Sequence, residues 1–447
     1  MRTILVLFVP LTFHPFLAVD EWKYDVVHLK SGQVVQGLLL AEEPERIHFQ
    51  RVLRRPGART VTREVVFEPT DVDRIERLDA ADRKFLRKKL LLLDEYGEQE
   101  KLRAQAVSFA HKPWPTVAEQ ALHYTGKHFT LTTNAREDIV RLAVVRLEEI
   151  FRAYVANFGV RKHPQERIKI TLYRSVEDYR RTLARRGQEL LNLAYYDAPR
   201  HEIHVACDLE RLEAELEKVR HKHRDKLQEL AEYESKLRKH YDGKPPASSL
   251  AQLRGVRQQL QSLNHDNDAA LERLRGQFFA TLYHEAFHAY LGTYVYPDEE
   301  ASVPRWLNEG LAQIFENALV ETGELRFGHL DPARLAAAQT AVRKKQLVPL
   351  RTLLQSTLSD FRAGHSADGW SSDRFFLTSW ALTYYLIFEK QLLGSAALHQ
   401  YILTPAEGTE KVQLFQRLVG KPLEDAEADF HAYLLQLRQD GSVRGKP

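Results

Sequence analysis

Two histidines in the second half of the chain have the spacing of a metal site. His284 and His288 flank Glu285 in the segment HEAFH. On an α-helix, residues four apart lie one above the other, so both imidazoles can reach one metal ion. Glu285 would project beside that ion, where its carboxylate can deprotonate a water and later pass the proton to a leaving amine. The pattern therefore predicts metal-assisted hydrolysis.

A second segment contains the carboxylate that would complete such a site. Residues 303–316, VPRWLNEGLAQIFE, predict an amphipathic helix carrying Glu309, with twenty residues between it and His288. A hydrolytic zinc site uses three protein ligands and keeps one position open for water. His284, His288 and Glu309 give that count, and the ligand set predicts Zn²⁺, although other divalent ions can occupy such sites.

The two motifs together resemble a known family. HEAFH followed by WLNEGLAQIFE is similar to the gluzincin zinc metallopeptidases, the broad group of thermolysin and aminopeptidase N, and especially to little-characterised secreted bacterial-type members. The resemblance is specific over residues 282–316 and implies a zincin-like catalytic domain with Glu309 as the third zinc ligand. It also implies that Glu316, seven residues later on the same helix face, orients a zinc histidine as a second-shell carboxylate.

The substrate-binding part of that family's pattern is missing. Aminopeptidases of the group grip the free amine of the substrate with a Gly-x-Met-x-Asn motif, and the only methionine in this chain is Met1. Gln313 stands one turn after Glu309, where thermolysin-like enzymes have an aspartate. The choice between endopeptidase and exopeptidase action therefore stays open.

The residue that would stabilise the oxyanion is also uncertain from the sequence. Residues 374–385 predict a helix beside the site, and Phe376 stands where related sequences often have a tyrosine. Gluzincins normally place a tyrosine or histidine against the oxyanion of the transition state. Tyr384, Tyr385 and His365 are the alternatives for that role, and each is more typical of a core or surface residue.

The elements that must position these residues predict an α+β fold with a mainly helical C-terminal part. Residues 22–78 contain four or five short strand patterns and predict a small SH3-like β-barrel, which we expect to pack structurally against the next domain. Residues 80–117 predict a helical connector, and residues 118–440 the metallopeptidase domain. Within that domain, the backbone of Ile203 and Val205 is a candidate for pairing with an extended substrate.

A heptad pattern interrupts the predicted catalytic domain. Over residues 209–270, apolar residues recur every three or four positions, and a Gly/Pro-containing break at 241–246 divides the pattern in two. The second part includes Leu253, Val256, Leu260 and Leu263. Two helices joined in this way predict an antiparallel hairpin that leads towards the histidine helix. A plain structural insertion is the favoured interpretation, with a lid or a protein-binding arm as the alternative.

Composition and the N-terminus bear on partners and location. The chain has 64 Lys and Arg residues against 61 Asp and Glu, interleaved along the sequence, which argues against nucleic-acid binding. A single cysteine, Cys207, excludes an intramolecular disulfide and any CxxC site. Residues 1–18 predict a signal peptide cleaved after Ala18, hence a secreted or periplasmic protein without a later membrane span.

Two functional hypotheses follow. The first is a zinc peptidase that acts on a peptide or protein substrate, and the second is a catalytically silent zinc protein whose barrel and hairpin bind envelope or extracellular partners. The presence of Glu285 favours the enzyme, because a structural zinc site needs no general base and closes its fourth position.

Overall fold

The computed structural model describes residues 22–114, 120–162, 166–187, 192–296, 303–362 and 371–444. The predicted signal peptide and His365 lie outside these residues. The described chain is a mixed α+β protein, as the sequence predicts. None of its helices combines the length and the apolar character needed to cross a bilayer.

The backbone forms two compact units. Unit 1 comprises the described residues of Met1–Ala106, Val145–Glu166 and Ala286–Pro447, and unit 2 those of Val107–Val144 and Arg167–Glu285. The boundary passes through two continuous helices, so neither unit is a single stretch of sequence. The domain limits expected from the sequence stay predictions.

Unit 1 begins with a five-stranded antiparallel sheet in the order β4-β3-β2-β1-β5. Its elements are β1 Asp25–Leu29, β2 Val34–Glu42, β3 Ile47–Leu53, β4 Val61–Phe67 and β5 Val72–Glu76, followed by helices α1 Ala80–Leu91 and α2 Glu98–Gln105. Alternating side chains such as Val27, Val35 and Phe49 are buried on one face of the strands. This alternation is the period-2 pattern of a sheet with one covered face.

The predicted SH3-like barrel is not found, because the described sheet does not close. Closure would need β4 to pair with β5, and these strands are the two edges of the sheet. Helix α1 instead covers part of the sheet, where Leu86 packs with Trp22, Leu38 and Val52 in a second small core. The additional helix buries apolar side chains that four or five strands alone would leave exposed.

Unit 2 contains a six-stranded mixed sheet in the order β10-β11-β9-β8-β7-β6. Its elements are β6 Ala110–Pro113, β7 Gln120–Thr125, β8 Phe129–Thr133, β9 Ile168–Tyr173, α4 Val176–Arg185, β10 Ala194–Asp197 and β11 Glu202–Ala206, and α3 Glu137–Phe158 runs from unit 2 into unit 1. Strand β11 is parallel to β9 on one side and antiparallel to β10 on the other. Both sides of Ile203 and Val205 are therefore occupied, so the expectation that these residues pair with substrate is wrong.

The heptad segment forms two long helices, α5 Leu209–His240 and α6 Ala247–Tyr290. Polar pairs join them in antiparallel order: Glu213 with Arg275, Arg220 with Asp268, His223 with Asn264, and Glu234 with Arg257. The hairpin therefore forms as predicted, and its second arm continues without a break into the helix that carries HEAFH.

Two predicted seam positions of the second arm, Val256 and Leu263, are each displaced by one residue. Val256 and Leu263 are 40% and 42% exposed, while Arg257 and Asn264 turn towards α5. Glu234 and His223 on α5 form hydrogen bonds with these polar side chains, so polar pairs occupy the two facing positions. Leu253 and Leu271 are buried members of the observed seam.

The C-terminal part of unit 1 is mainly helical. A π-helical turn at Leu291–Val295 ends the histidine helix, and a two-stranded hairpin follows the next helix. The elements are α7 Arg305–Phe315, β12 Leu319–Glu321, β13 Glu324–Arg326, α8 Pro332–Arg343, α9 Leu350–Leu354, α10 Leu358–Arg362, α11 Ser372–Tyr384, α12 Ala396–Leu403, α13 Thr409–Val419 and α14 Leu423–Gln436.

The N-terminal sheet packs on the β12–β13 hairpin through largely buried charges. Glu324 accepts hydrogen bonds from Arg54 at 2.6 Å, Lys89 at 2.7 Å and the Trp22 indole at 3.0 Å. Burial alone would raise the pKa of Glu324, but these three donors outweigh it and hold the pKa below its usual value. These contacts join the N-terminal sheet to a later part of unit 1, and the expected packing against a separate next domain stays a prediction.

Candidate metal centre

Aromatic packing fixes the C-terminal end of the histidine helix. The Phe287 ring stacks on Phe315 of α7 with centroids 4.6 Å apart and an interplanar angle of 8°. The Tyr290 hydroxyl donates to the carbonyl of Tyr154 in α3 at 3.1 Å. Both contacts bury large aromatic rings, which stabilise the packing of the helices and restrict their relative orientation. The histidine helix is thereby held against α3 and α7.

The structure brings the three predicted ligands together. Donor atoms of His284, His288 and Glu309 all lie within 4.8 Å of one another, which makes this group able to hold a metal ion. His288 Nε2 lies 3.7 Å from Glu309 Oε2. His288 and Glu309 are 8% and 2% exposed, whereas His284 is partly exposed. The cluster is therefore buried at one end and accessible at the other.

Asn308, which the sequence did not single out, orients one of these histidines. Its Oδ1 lies 2.8 Å from His288 Nδ1 and accepts the hydrogen of that nitrogen. The proton on Nδ1 leaves the lone pair of Nε2 directed at the cluster, the tautomer that a metal ligand needs. Asn308 directly precedes Glu309 in the sequence. The same turn of α7 therefore carries a candidate metal ligand, Glu309, and the residue that orients His288.

We expect Asn308→Ala to weaken the binding of a metal ion at this cluster by about 10- to 100-fold, the usual cost of removing a group that orients a metal ligand. Competition with a chromophoric zinc chelator measures this change. Asn317→Ala, at an exposed position just beyond α7, is the matched control and should leave the affinity unchanged. Equal affinities for Asn308→Ala and the wild type would show that the hydrogen bond does not support the metal site.

Arg305 forms an ion pair with Glu309 one turn later on α7. The pair uses Glu309 Oε1, whereas Oε2 of the same carboxylate faces His288. The two oxygens of the buried carboxylate are thus divided between a cation and the histidine cluster. The sequence places Arg305 at helical spacing from Glu309, but nothing in the sequence alone distinguished it from a surface arginine.

A close helix contact explains the glycine that follows Glu309. A Cβ on Gly310 would lie 2.0 Å from Thr383 Oγ1 and 2.6 Å from the carbonyl oxygen of Ser379, both on α11. Gln313 also reaches α11, donating to the carbonyl of Phe376 at 3.0 Å. Glycine at 310 therefore allows α7 and α11 to approach closely, and this contact fixes the helix that carries Glu309.

We expect Gly310→Ala to destabilise the protein by about 1–3 kcal/mol or more, because the added methyl group cannot fit without moving α11. Chemical denaturation monitored by circular dichroism measures this loss. Gly276→Ala in α6 is the control, since a Cβ there meets nothing within 4 Å and alanine favours a helix. Equal stability of the two variants would contradict the close-approach argument.

Glu285 is partly exposed beside the ligand histidines and lies within electrostatic range of Tyr179 in α4. The pKa of Tyr179 is raised, chiefly because the phenol is buried and also because the charges of Tyr195 and Glu285 oppose its ionisation. The Tyr179 hydroxyl donates to the carbonyl of Asn192 at 3.0 Å. The Tyr179 side chain is therefore a neutral group near Glu285, and its hydroxyl is held by a hydrogen bond.

The other residues considered from the sequence have different positions. Glu316 accepts a hydrogen bond from Arg334 at 2.8 Å, and its role in orienting a histidine stays a prediction. Tyr384 and Tyr385 are 2% and 3% exposed and belong to the core, where burial raises the pKa of Tyr384. Phe376 is partly exposed on α11 and has no hydroxyl group to offer an oxyanion.

Comparison with curated proteins and with solved structures finds no match to this chain. A family model does match part of it, at residues 278–401. The matched region contains His284, Glu285, His288 and Glu309, together with α7 and α11. It includes neither the N-terminal sheet nor helix α5. Over these residues the chain is similar to the family described as "Protein of unknown function (DUF1570)".

Proposed function

We propose that this protein is a zinc-dependent peptide-bond hydrolase of the gluzincin type. The observation that carries the proposal is the convergence of His284, His288 and Glu309 on one point, with Glu285 between the two histidines on the same helix. Two imidazole nitrogens and one carboxylate oxygen are the ligand set of hydrolytic zinc sites that keep an open position. The Asn308 hydrogen bond supports the same interpretation, because it presents Nε2 of His288 as a ligand.

Different residues would perform different steps of the reaction. A bound zinc ion would polarise the scissile carbonyl and lower the pKa of water. The Glu285 carboxylate would take a proton from the attacking water while the water oxygen bonds to the carbonyl carbon. It would then deliver that proton to the amide nitrogen, so that the C–N bond of the tetrahedral intermediate breaks and the amine leaves. Asn308 fixes His288, and the packing of Phe287 on Phe315 keeps the two motif helices in register.

The proposal extends to fold and location. We propose a zincin-like arrangement of the residues around both motifs and a relation of the N-terminal sheet to SH3-like domains. We also propose a secreted or periplasmic location, as the sequence of residues 1–18 predicts. The substrate class is a peptide or protein. The α5–α6 hairpin leaves Val256 and Leu263 exposed, which is compatible with a protein partner on that arm.

Zinc analysis combined with a peptide-library assay tests the proposal. We expect about one zinc per chain in purified protein and cleavage of some library peptides by mass spectrometry. Cleavage should stop after treatment with 1,10-phenanthroline and return when zinc is added. Stoichiometric zinc without any cleavage would favour the catalytically silent zinc protein, an outcome consistent with Phe376 having no hydroxyl. Protein that binds no divalent metal would refute both hypotheses.

A further inference from the structure

Arg305 has unused hydrogen-bonding capacity beside the metal cluster. An arginine has five N–H donors in a planar fork, and Glu309 is the only ion-pair partner of Arg305 among the described residues. The Arg305 Nε atom is buried and makes no hydrogen bond to these residues. The arginine side chain is nevertheless 33% exposed, against 2% for Glu309. Part of the guanidinium group is thus open to a ligand.

One aromatic ring, that of Phe361, lies beside this arginine. The guanidinium carbon lies 5.9 Å from the centroid of the Phe361 ring, and Phe361 packs edge-on against Phe376 with centroids 5.1 Å apart. An apolar wall strengthens the electrostatic interactions of a charge next to it, since it excludes water from that side. Phe376 therefore packs against the ring that lies beside Arg305.

We infer that Arg305 stabilises the oxyanion that forms from the scissile carbonyl. This inference rests on the proposed function, because it needs a hydrolytic site at His284, His288 and Glu309. Stabilisation of an oxyanion requires preorganised N–H donors close to where the charge develops. Tyr384 and Tyr385 are in the core and Phe376 has no donor, whereas Arg305 has several beside a ligand carboxylate. A fixed positive charge also favours a negatively charged transition state over a neutral substrate.

The carboxylate of a substrate terminus offers the same chemistry to an arginine as the oxyanion does. An arginine that recognises this carboxylate binds the ground state and the transition state equally, so its loss raises KM. An arginine that binds the oxyanion acts only in the transition state, so its loss lowers kcat. A third possibility is that Arg305 only positions Glu309, in which case its loss weakens metal binding alone.

The test uses full-length protein loaded with cobalt(II) and two phosphinic tripeptide analogues, whose tetrahedral P–O⁻ group imitates the intermediate. One analogue has both termini blocked, and the other has a free C-terminal carboxylate. Changes in the visible spectrum of cobalt report the binding of each analogue. We compare the wild type with Arg305→Met, Arg305→Lys, and the control Arg351→Met, an exposed arginine on α9.

We expect Arg305→Met to bind both analogues about 10²- to 10³-fold more weakly, the range seen when one oxyanion donor is removed. Arg305→Lys should recover part of this loss, Arg351→Met should match the wild type, and all variants should keep their cobalt affinity. With a cleaved library peptide, kcat should fall by a similar factor while KM changes by less than about threefold. Circular dichroism and the melting temperature verify that each variant is folded.

Three results would overturn the inference. A loss confined to the analogue with a free carboxylate would show that Arg305 recognises a substrate terminus. A loss of cobalt affinity with unchanged analogue binding would show that Arg305 only positions Glu309. Unchanged binding of both analogues would remove Arg305 from the reaction while leaving the proposed function intact. A wild-type protein without any cobalt spectrum would instead refute the metal site itself.

Discussion

Glu285→Gln is expected to lower peptide hydrolysis by about 10²- to 10⁴-fold, the usual contribution of a general base, while zinc stays bound. The amide of glutamine has almost the size of the carboxylate but cannot accept the proton of the attacking water at neutral pH. The metal-holding group consists of His284, His288 and Glu309 and does not include residue 285. Zinc content should therefore stay close to one per chain.

The measurement pairs the initial rate of cleavage with zinc analysis of the same sample. Glu272→Gln is the matched control, because Glu272 lies on the same helix at an exposed position and pairs only locally with Arg275. Its rate should equal that of the wild type. A Glu285→Gln protein with more than a tenth of the wild-type rate would exclude Glu285 as the general base. Loss of zinc from the variant would contradict the separation of ligands from base.

Glu309→Gln is expected to weaken zinc binding by more than about 100-fold, since even groups that only orient a ligand contribute about 10- to 100-fold. Glutamine can still accept a hydrogen bond from Arg305 through its amide oxygen, so the partly exposed arginine keeps a partner and the fold should survive. What is lost is the negative charge facing His288 Nε2 at 3.7 Å. We therefore expect Glu309→Gln to lower the affinity for zinc while leaving the stability of the metal-free protein nearly unchanged.

Thermal unfolding with and without zinc measures this effect. A zinc concentration 100 times the dissociation constant stabilises the wild type by about 2.7 kcal/mol through mass action, and Glu309→Gln should gain almost nothing at that concentration. The control is His221→Ala, a solvent-exposed histidine on α5. Wild-type stabilisation of Glu309→Gln by zinc would mean that the third ligand is another residue.

The proximity of His284 and His288 was predictable from the sequence, because residues four apart on a helix lie on the same face. A separation of four residues places His284 beneath His288 on any helix, and the second motif has Glu309 near its centre and Glu316 at its end. Asn308 and Arg305 were not predictable in the same way. Their roles depend on the angle at which α7 meets the histidine helix, and the Gly310 contact with α11 sets the position of α7.

The arrangement of the N-terminal sheet and the register of the α5–α6 hairpin could also not be predicted from the sequence. Strand patterns in residues 22–78 correctly indicated a small β unit. They did not indicate that Leu86 and Trp22, which lie outside the strands, would pack on that sheet. In the hairpin, hydrophobicity favoured Val256 and Leu263 for the seam. Polar partners on the opposite helix selected Arg257 and Asn264 instead, an effect of pairing between distant residues.

The ionic contact of the N-terminal sheet with the β12–β13 hairpin has a consequence for biosynthesis. Arg54 and its partner Glu324 are separated by 270 positions along the chain. At about 5–20 residues per second, a ribosome needs roughly 15 to 50 s to synthesise the intervening segment. Throughout that interval the cations of the sheet lack their carboxylate. Unit 1 can therefore complete this contact only after Glu324 has emerged from the exit tunnel, long after the N-terminal sheet has been synthesised.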